Sequence, residues 1–131
     1  MNEQIKYYQD KLNFEWDSAD LFTQLDKGTR PIQIIDTRSE SAFQKEHIPN
    51  AVHFPHRTIN EDTVSNLDRD VLYICYCDGI GCNGSTKGAM EMAKLGFKVR
   101  ELIGGLDWWK RDGYETQGTE STPTTSVRCA C

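Results

Sequence analysis

The stretch VLYICYCDGIGCNGSTKG, residues 71–88, decides how this chain is read. An apolar run of strand character passes into Cys77, then into a glycine-rich loop, then into the start of a helix that continues as KGAMEMAKLG. Gly79, Gly81 and Gly84 let the backbone approach an anionic atom closely. Ser85 and Thr86 offer an N-cap, so the free N–H groups and positive dipole end of the helix gather near the same place. Such surroundings favour a thiolate over a thiol and hold anions attached to it. Cys77 is therefore the nucleophile candidate. The backbone of Asp78, Gly79, Ile80, Gly81, Asn83, Gly84 and Ser85, together with Lys87, is its expected anion-binding surround. The plainer reading of Cys77 is a buried structural cysteine at a strand end.

Outward from this loop, short apolar runs alternate with helical patterns. IQIID (32–36), AVHFP (51–55) and FKVREL (97–102) read as further strands. Helices are expected over 3–12, over DLFTQLDKG after an Asp17 or Ser18 cap with Gly28 as stop, over SESAFQKEH, over 85–95 and over LDWWKRDGY. INEDTVSNL shows weak helical spacing. The alternation indicates an α/β domain with a mainly parallel sheet covered on both faces, and ligands then bind beyond the carboxyl ends of the strands, where Asp36 and Cys77 fall. The domain is expected over residues 1–117, with 1–13 as a helical extension and 118–131, rich in Ser, Thr and Pro, as a flexible tail.

The 131 residues suffice for one domain, and a formal charge of -5 argues against nucleic acid or an anionic membrane as partner. The N-terminal segment has no apolar core for a signal peptide or anchor, so a cytoplasmic location is expected, and the sequon at Asn83 is discounted. Five cysteines in two clusters, Cys75, Cys77 and Cys82, then Cys129 and Cys131, suit catalytic or redox thiols better than a disulfide scaffold. The spacing lacks paired Cys-x-x-Cys motifs, so neither metal nor other cofactor is expected. Cys75 shares a strand face with Cys77 and is assigned to the core. The tail pair either shuttles sulfur or electrons to the loop or has no role.

IIDTRSESAFQKEHIPNAVHFP (34–55), the strand-loop-helix at 71–96 and ELIGGLDWWKRDGY (101–114) together resemble a single-domain rhodanese, the family of sulfurtransferases that carry sulfur as a cysteine persulfide. The resemblance implies a five-stranded, mainly parallel sheet with helices on both faces and the active loop after the VLYICYC strand. It implies that Cys77 takes a sulfane sulfur from thiosulfate, polysulfide or a low-molecular-weight persulfide and yields it to a thiol or cyanide. A protein persulfide or a thioredoxin-like reductant is an alternative partner. It also implies that Asp36 and Arg38 form a structural ion pair near the site. This chain departs from the family pattern: the loop after Cys77 is about two residues longer, it carries no Arg, Glu46 stands for the usual Gly before His47, and Asn50 for the usual Gly before Ala51.

Cys82 is the rival nucleophile, with Lys87 five residues on where an Arg would stand; otherwise it is a second thiol able to form a disulfide with Cys77 or resolve its persulfide. His47 is expected to be hydrogen-bonded and half-buried, His53 and His56 to lie at the mouth or in a solvated loop, and Trp108 and Trp109 to pack the last helix. A phosphatase or arsenate reductase of the Cys-x5-Arg kind lacks its guanidinium here: the sixth position after Cys77 is Asn83 and after Cys82 is Gly88. The remaining alternatives are a thiol-disulfide protein using Cys77 and Cys82, and a non-catalytic rhodanese-like regulatory module.

Overall fold

Five strands pair in the order β1-β5-β4-β2-β3, all parallel. The computed structural model describes residues 2–121. In chain order the elements are α1 (Glu3–Phe14), β1 (Glu15–Trp16), α2 (Ser18–Lys27), β2 (Ile32–Asp36), α3 (Glu40–Lys45), β3 (Val52–His53), a single 3-10 turn at His56–Thr58, β4 (Leu72–Tyr76), α4 (Gly84–Lys94), β5 (Lys98–Leu102) and α5 (Gly105–Arg111). Every residue of β4 is buried, which explains its unbroken apolar run: a central parallel strand meets a core layer on each face.

Alternation along the strands divides that core. Ile34, Ile74, Tyr76 and Leu102 face Leu21 of α2 and Leu106 and Trp109 of α5. Ile35, Tyr73 and Cys75 face the other way, onto Met92 of α4 and onto Ile59, Val64 and Phe97. Cys75 is thus a core residue, as its register predicts. Trp109 is buried while Trp108 is 42% exposed.

Local chemistry sets the ends of the elements. Asp17 opens α2 with a capping box, its side chain accepting from the Asp20 amide while the Asp20 carboxylate accepts from the Asp17 amide. Residues 59–67 do not form the weakly indicated helix. The Asn60 side chain accepts from the amides of Asp62 and Thr63, and this local bonding replaces a helical ladder with turns. Helix α1 runs two residues beyond the expected 3–12, to Phe14, and contributes no buried residue. Strand β1, which no apolar run announces, is only two residues long and pairs with Glu101 and Leu102 of β5.

Two departures from the family pattern fit this backbone. Asn50 adopts φ 67, a left-handed conformation that asparagine tolerates better than most non-glycine residues. Glu46 has an extended backbone with φ -163, so no glycine is needed, and its carboxylate binds Lys110 at 2.8 Å and the Thr116 hydroxyl at 2.6 Å, tying α3 to the chain beyond α5. The amides of Thr119 and Glu120 donate to the carbonyls of Gln44 and Lys45, so the stretch expected to start a tail at 118 is still bonded to α3. Cys129 and Cys131 lie outside the described residues. No helix among the described residues is long and apolar enough to cross a membrane.

Candidate functional site

The Cys77 carbonyl and that of Asp78 accept hydrogen bonds from the amides of Leu106 and Asp107 in the first turn of α5, at 3.0 and 2.8 Å. Gly105 permits this contact. Its φ is +55, and a Cβ there would stand 2.3 Å from the Cys77 carbonyl oxygen. The chain then turns, the Cys82 amide donating to the Gly79 carbonyl at 3.2 Å, and enters α4 at Gly84. The expected cap by Ser85 or Thr86 is not what forms. Asn83 is the N-cap residue and makes no side-chain cap bond. The Ser85 and Thr86 hydroxyls lie inside the first turn, facing β5, and both donate to Glu101 Oε2 at 2.7 Å. The opening amides of α4 therefore carry no side-chain acceptor from their own N-cap residue.

Gly84 brings that first turn against the sulfur. A Cβ at this position would lie 3.2 Å from Cys77 Sγ, 3.5 Å from Thr37 Oγ1 and 3.6 Å from the His56 ring. Cys77 is buried, Cys82 is half-buried, and the two sulfurs are joined in a disulfide with their Cα atoms 6.3 Å apart. The pair separates two cavities. One, of about 570 Å³, is lined by Thr37, Arg38, His53, His56, Arg57 and Asn83 as well as both cysteines. The other, of about 220 Å³, is bounded by Glu15, Glu101 and Gly104 and again by both cysteines. A larger space of about 750 Å³ between Phe22, Leu25, Trp109 and Tyr114 touches neither thiol. It lies by Ile32, at the start of β2 and so at the opposite end of the strands from Cys77.

A buried network holds the wall of the first cavity. Asp36 accepts from Arg38 Nη2 at 2.7 Å and from the Tyr76 hydroxyl at 2.6 Å. Arg38 reaches on to Asp78 at 3.0 Å and to the Glu46 carbonyl, while its own carbonyl contacts His53 Nε2 at 2.7 Å. Burial opposes the charge on Arg38, but the hydrogen bonds and charge of Asp36 outweigh it and hold the guanidinium above its ordinary pKa. Burial first, and then the Asp36 charge, push the Tyr76 hydroxyl up. Arg38 is thus paired with both the buried Asp36 and Asp78 at the start of the loop. Burial, followed by the charge of Glu101, pushes the Cys75 thiol up to about 12, so Cys75 stays protonated.

The sequence-derived candidates separate here. Cys77, Asp78, Gly79, Ile80, Gly81, Cys82, Asn83, Gly84 and Ser85 all line one cavity or the other. Lys87 is exposed on α4 and lines neither. His53 and His56 both face the larger cavity beside the thiols. His47 is half-buried, bonded through Nδ1 to the Phe43 carbonyl at 2.6 Å and stacked on the Phe43 ring. Reasoning from sequence missed Arg57 and Glu101. Arg57 follows His56 in the 3-10 turn, and only the fold carries that turn to the loop.

Residues 18–112 match the profile of the rhodanese-like domain. The chain is 36% identical over 83 residues to the thiosulfate sulfurtransferase GlpE of Coxiella burnetii, an alignment covering 62% of this chain and 74% of that one. It is 29% identical over 93 residues to the putative sulfur carrier protein YrkF of Bacillus subtilis, covering 70% of this chain and 49% of the relative. Among solved structures, the BH2092 protein of Bacillus halodurans superposes with a TM-score of 0.86 at 40% identity, covering 98% of this chain and 94% of the other.

Proposed function

Because the chain belongs to the rhodanese-like family, we propose that it is a sulfurtransferase in which the reduced Cys77 thiolate carries a sulfane sulfur as a persulfide. The observation that carries this reading is the position of Cys77 Sγ, at the carboxyl end of the central strand and against the first turn of a helix with no side-chain cap. The thiolate attacks the outer sulfur of thiosulfate, the sulfur–sulfur bond breaks, and sulfite leaves with the electron pair. An acceptor thiolate or cyanide then attacks the outer persulfide sulfur and returns Cys77 as thiolate. The free amides at the start of α4 stabilise both anionic forms, an electrostatic contribution of the oxyanion-hole kind.

The loop has no arginine of its own, and Arg38 is already held by Asp36 and Asp78. Arg57 takes the part assigned from sequence to Lys87: it is exposed and lines the 570 Å³ cavity together with His56 and both cysteines. A small dianion entering there meets a guanidinium before it meets the thiolate.

The test is direct. Reduced Cys82→Ser protein, in which no second thiol can discharge Cys77, is treated with thiosulfate or polysulfide, trapped with an alkylating agent and mapped by peptide mass spectrometry. A gain of about 32 Da on the Cys77 peptide, absent from Cys77→Ser, is expected. A folded, reduced Cys82→Ser sample that takes up no sulfur on Cys77 overturns the reading.

A further inference from the structure

We propose that Cys82 discharges the Cys77 persulfide within the chain, releasing hydrosulfide and leaving the Cys77–Cys82 disulfide, so that the protein acts as a sulfane-sulfur reductase whose cycle is closed by a dithiol reductant. The inference rests on the persulfide reading above and deepens it. It names the product that leaves the site and the class of partner that must restore it.

The geometry is that of a resolving thiol. Cys77 and Cys82 are five residues apart, and the turn closed by the Cys82 amide on the Gly79 carbonyl folds the loop back until the two sulfurs meet. Their Cα separation of 6.3 Å lies within the range that disulfides span. The turn between Gly79 and Cys82 is thus what brings the second sulfur to the first. Cys82 immediately precedes Asn83, the N-cap of α4, so its thiolate also profits from the helix terminus. The third thiol of the region, Cys75, is fully buried and does not compete.

The step balances. Cys82 thiolate attacks Cys77 Sγ, the inner sulfur of the persulfide; the Cys77–Cys82 bond forms, the bond to the outer sulfur breaks, and the outer sulfur leaves with the electron pair as hydrosulfide. The two cysteine sulfurs are oxidised by two electrons and the sulfane sulfur is reduced by two. The reductant then attacks the half-buried Cys82 sulfur, which lines both cavities, and the buried Cys77 leaves as thiolate, ready for the next donor. A thiol tethered by so short a loop acts at an effective concentration on the order of millimolar or above, so it competes with free thiols in solution.

Both proteins for the test carry Cys129→Ser and Cys131→Ser, so that no tail thiol takes part; one retains Cys82 and the other is Cys82→Ser. Each is reduced, freed of reductant and given thiosulfate, then polysulfide in a separate run, with hydrosulfide measured in the thiosulfate run and intact mass in both. The Cys82 protein is expected to release up to one hydrosulfide per chain and to end about 2 Da lighter than its reduced form, with dithiothreitol restoring turnover. Cys82→Ser is expected to hold about 32 Da on Cys77 and to release hydrosulfide only when dithiothreitol is added. A stable persulfide in the Cys82 protein, on either cysteine, or equal release from Cys82→Ser, overturns the inference and leaves sulfur carriage standing. No added sulfur on folded Cys82→Ser from either donor overturns both readings, since Cys77 is then not the carrier.

Discussion

Replacing Tyr76 by Phe removes one oxygen atom from a buried polar network and leaves the ring in place. That oxygen serves two groups: it donates to Asp36 Oδ2 at 2.6 Å and accepts from the Ile48 amide at 3.1 Å, and all three residues are fully buried. Losing a hydrogen bond to a charged carboxylate costs about 1.5–3 kcal/mol, and an orphaned buried amide adds about 1–3 kcal/mol. Part of this is offset because the hydroxyl itself no longer has to be desolvated. A net destabilisation of about 3 kcal/mol is expected, and at about 4 °C per kcal/mol for a domain of this size the melting temperature falls by roughly 12 °C. Asp36 keeps its bonds from Arg38, so the loop brace at Asp78 survives and sulfur loading on Cys77 at a temperature well below the transition is expected to stay within about twofold of wild type. The assay is thermal and urea unfolding in excess reductant, so that both proteins are compared in one thiol state. A melting temperature within about 2 °C of wild type would refute the claim that this hydroxyl bridges a buried carboxylate and a buried amide.

Arg57→Ala is expected to raise KM for thiosulfate about tenfold with kcat little changed, a loss of roughly 1.4 kcal/mol that shrinks at high salt. Lys87→Ala leaves both constants alone; steady-state kinetics at two ionic strengths decides, and the reverse pattern would reassign the anion site. Cys75, raised from its ordinary 9.0 to about 12 in the fold, contributes stability that is full at neutral pH and is lost as pH rises, because the unfolded thiol ionises first. By pH 10 the loss is about 1.4 kcal/mol; comparing denaturant unfolding at pH 7.5 and 10 should show a smaller alkaline loss in Cys75→Ala, and equal losses would contradict the burial argument. Gly105→Ala meets the Cys77 carbonyl from a left-handed backbone, so a cost above about 2 kcal/mol is expected together with impaired sulfur loading; an unchanged unfolding midpoint would show that this contact is not fixed as described.

What the sequence discloses follows the range of the forces involved. Strand β4 is legible because a central parallel strand buried along its whole length must be apolar, β2 through its run of isoleucines at 32, 34 and 35, and Cys77 because it stands where β4 stops. Strand β1 is not, since Glu15 and Trp16 carry no pattern and pair only through the register that Glu101 and Leu102 supply. The start of α4 misleads for a related reason. Ser85 and Thr86 look like caps locally, but the turn from Gly79 to Cys82 fixes where the helix begins, and Glu101, far along the chain, takes both hydroxyls. Pro-His-Arg-Thr at 55–58 has the composition of a solvated loop, and nothing within it reveals that it lines the cavity beside the thiols. The proximity of Cys82 to Cys77 is the opposite case, a short-range feature that spacing alone suggests and the structure places in contact.

The two outermost strands of the sheet, β1 and β3, are only two residues long. A long, bare outer strand is a template on which a second molecule can add its own backbone, and the growth of such stacks is how many β-rich proteins leave solution. Here each border offers little to copy. Where β5 outruns β1, Lys98 and Arg100 bring charge to the rim and the Arg100 side chain clasps the end of α1 through the Leu12 carbonyl. Where β2 outruns β3, the Gln33 side chain occupies the Ile34 carbonyl that an incoming strand would seek. Among the described residues, then, neither margin of the sheet offers a second copy a long, unencumbered strand on which to stack.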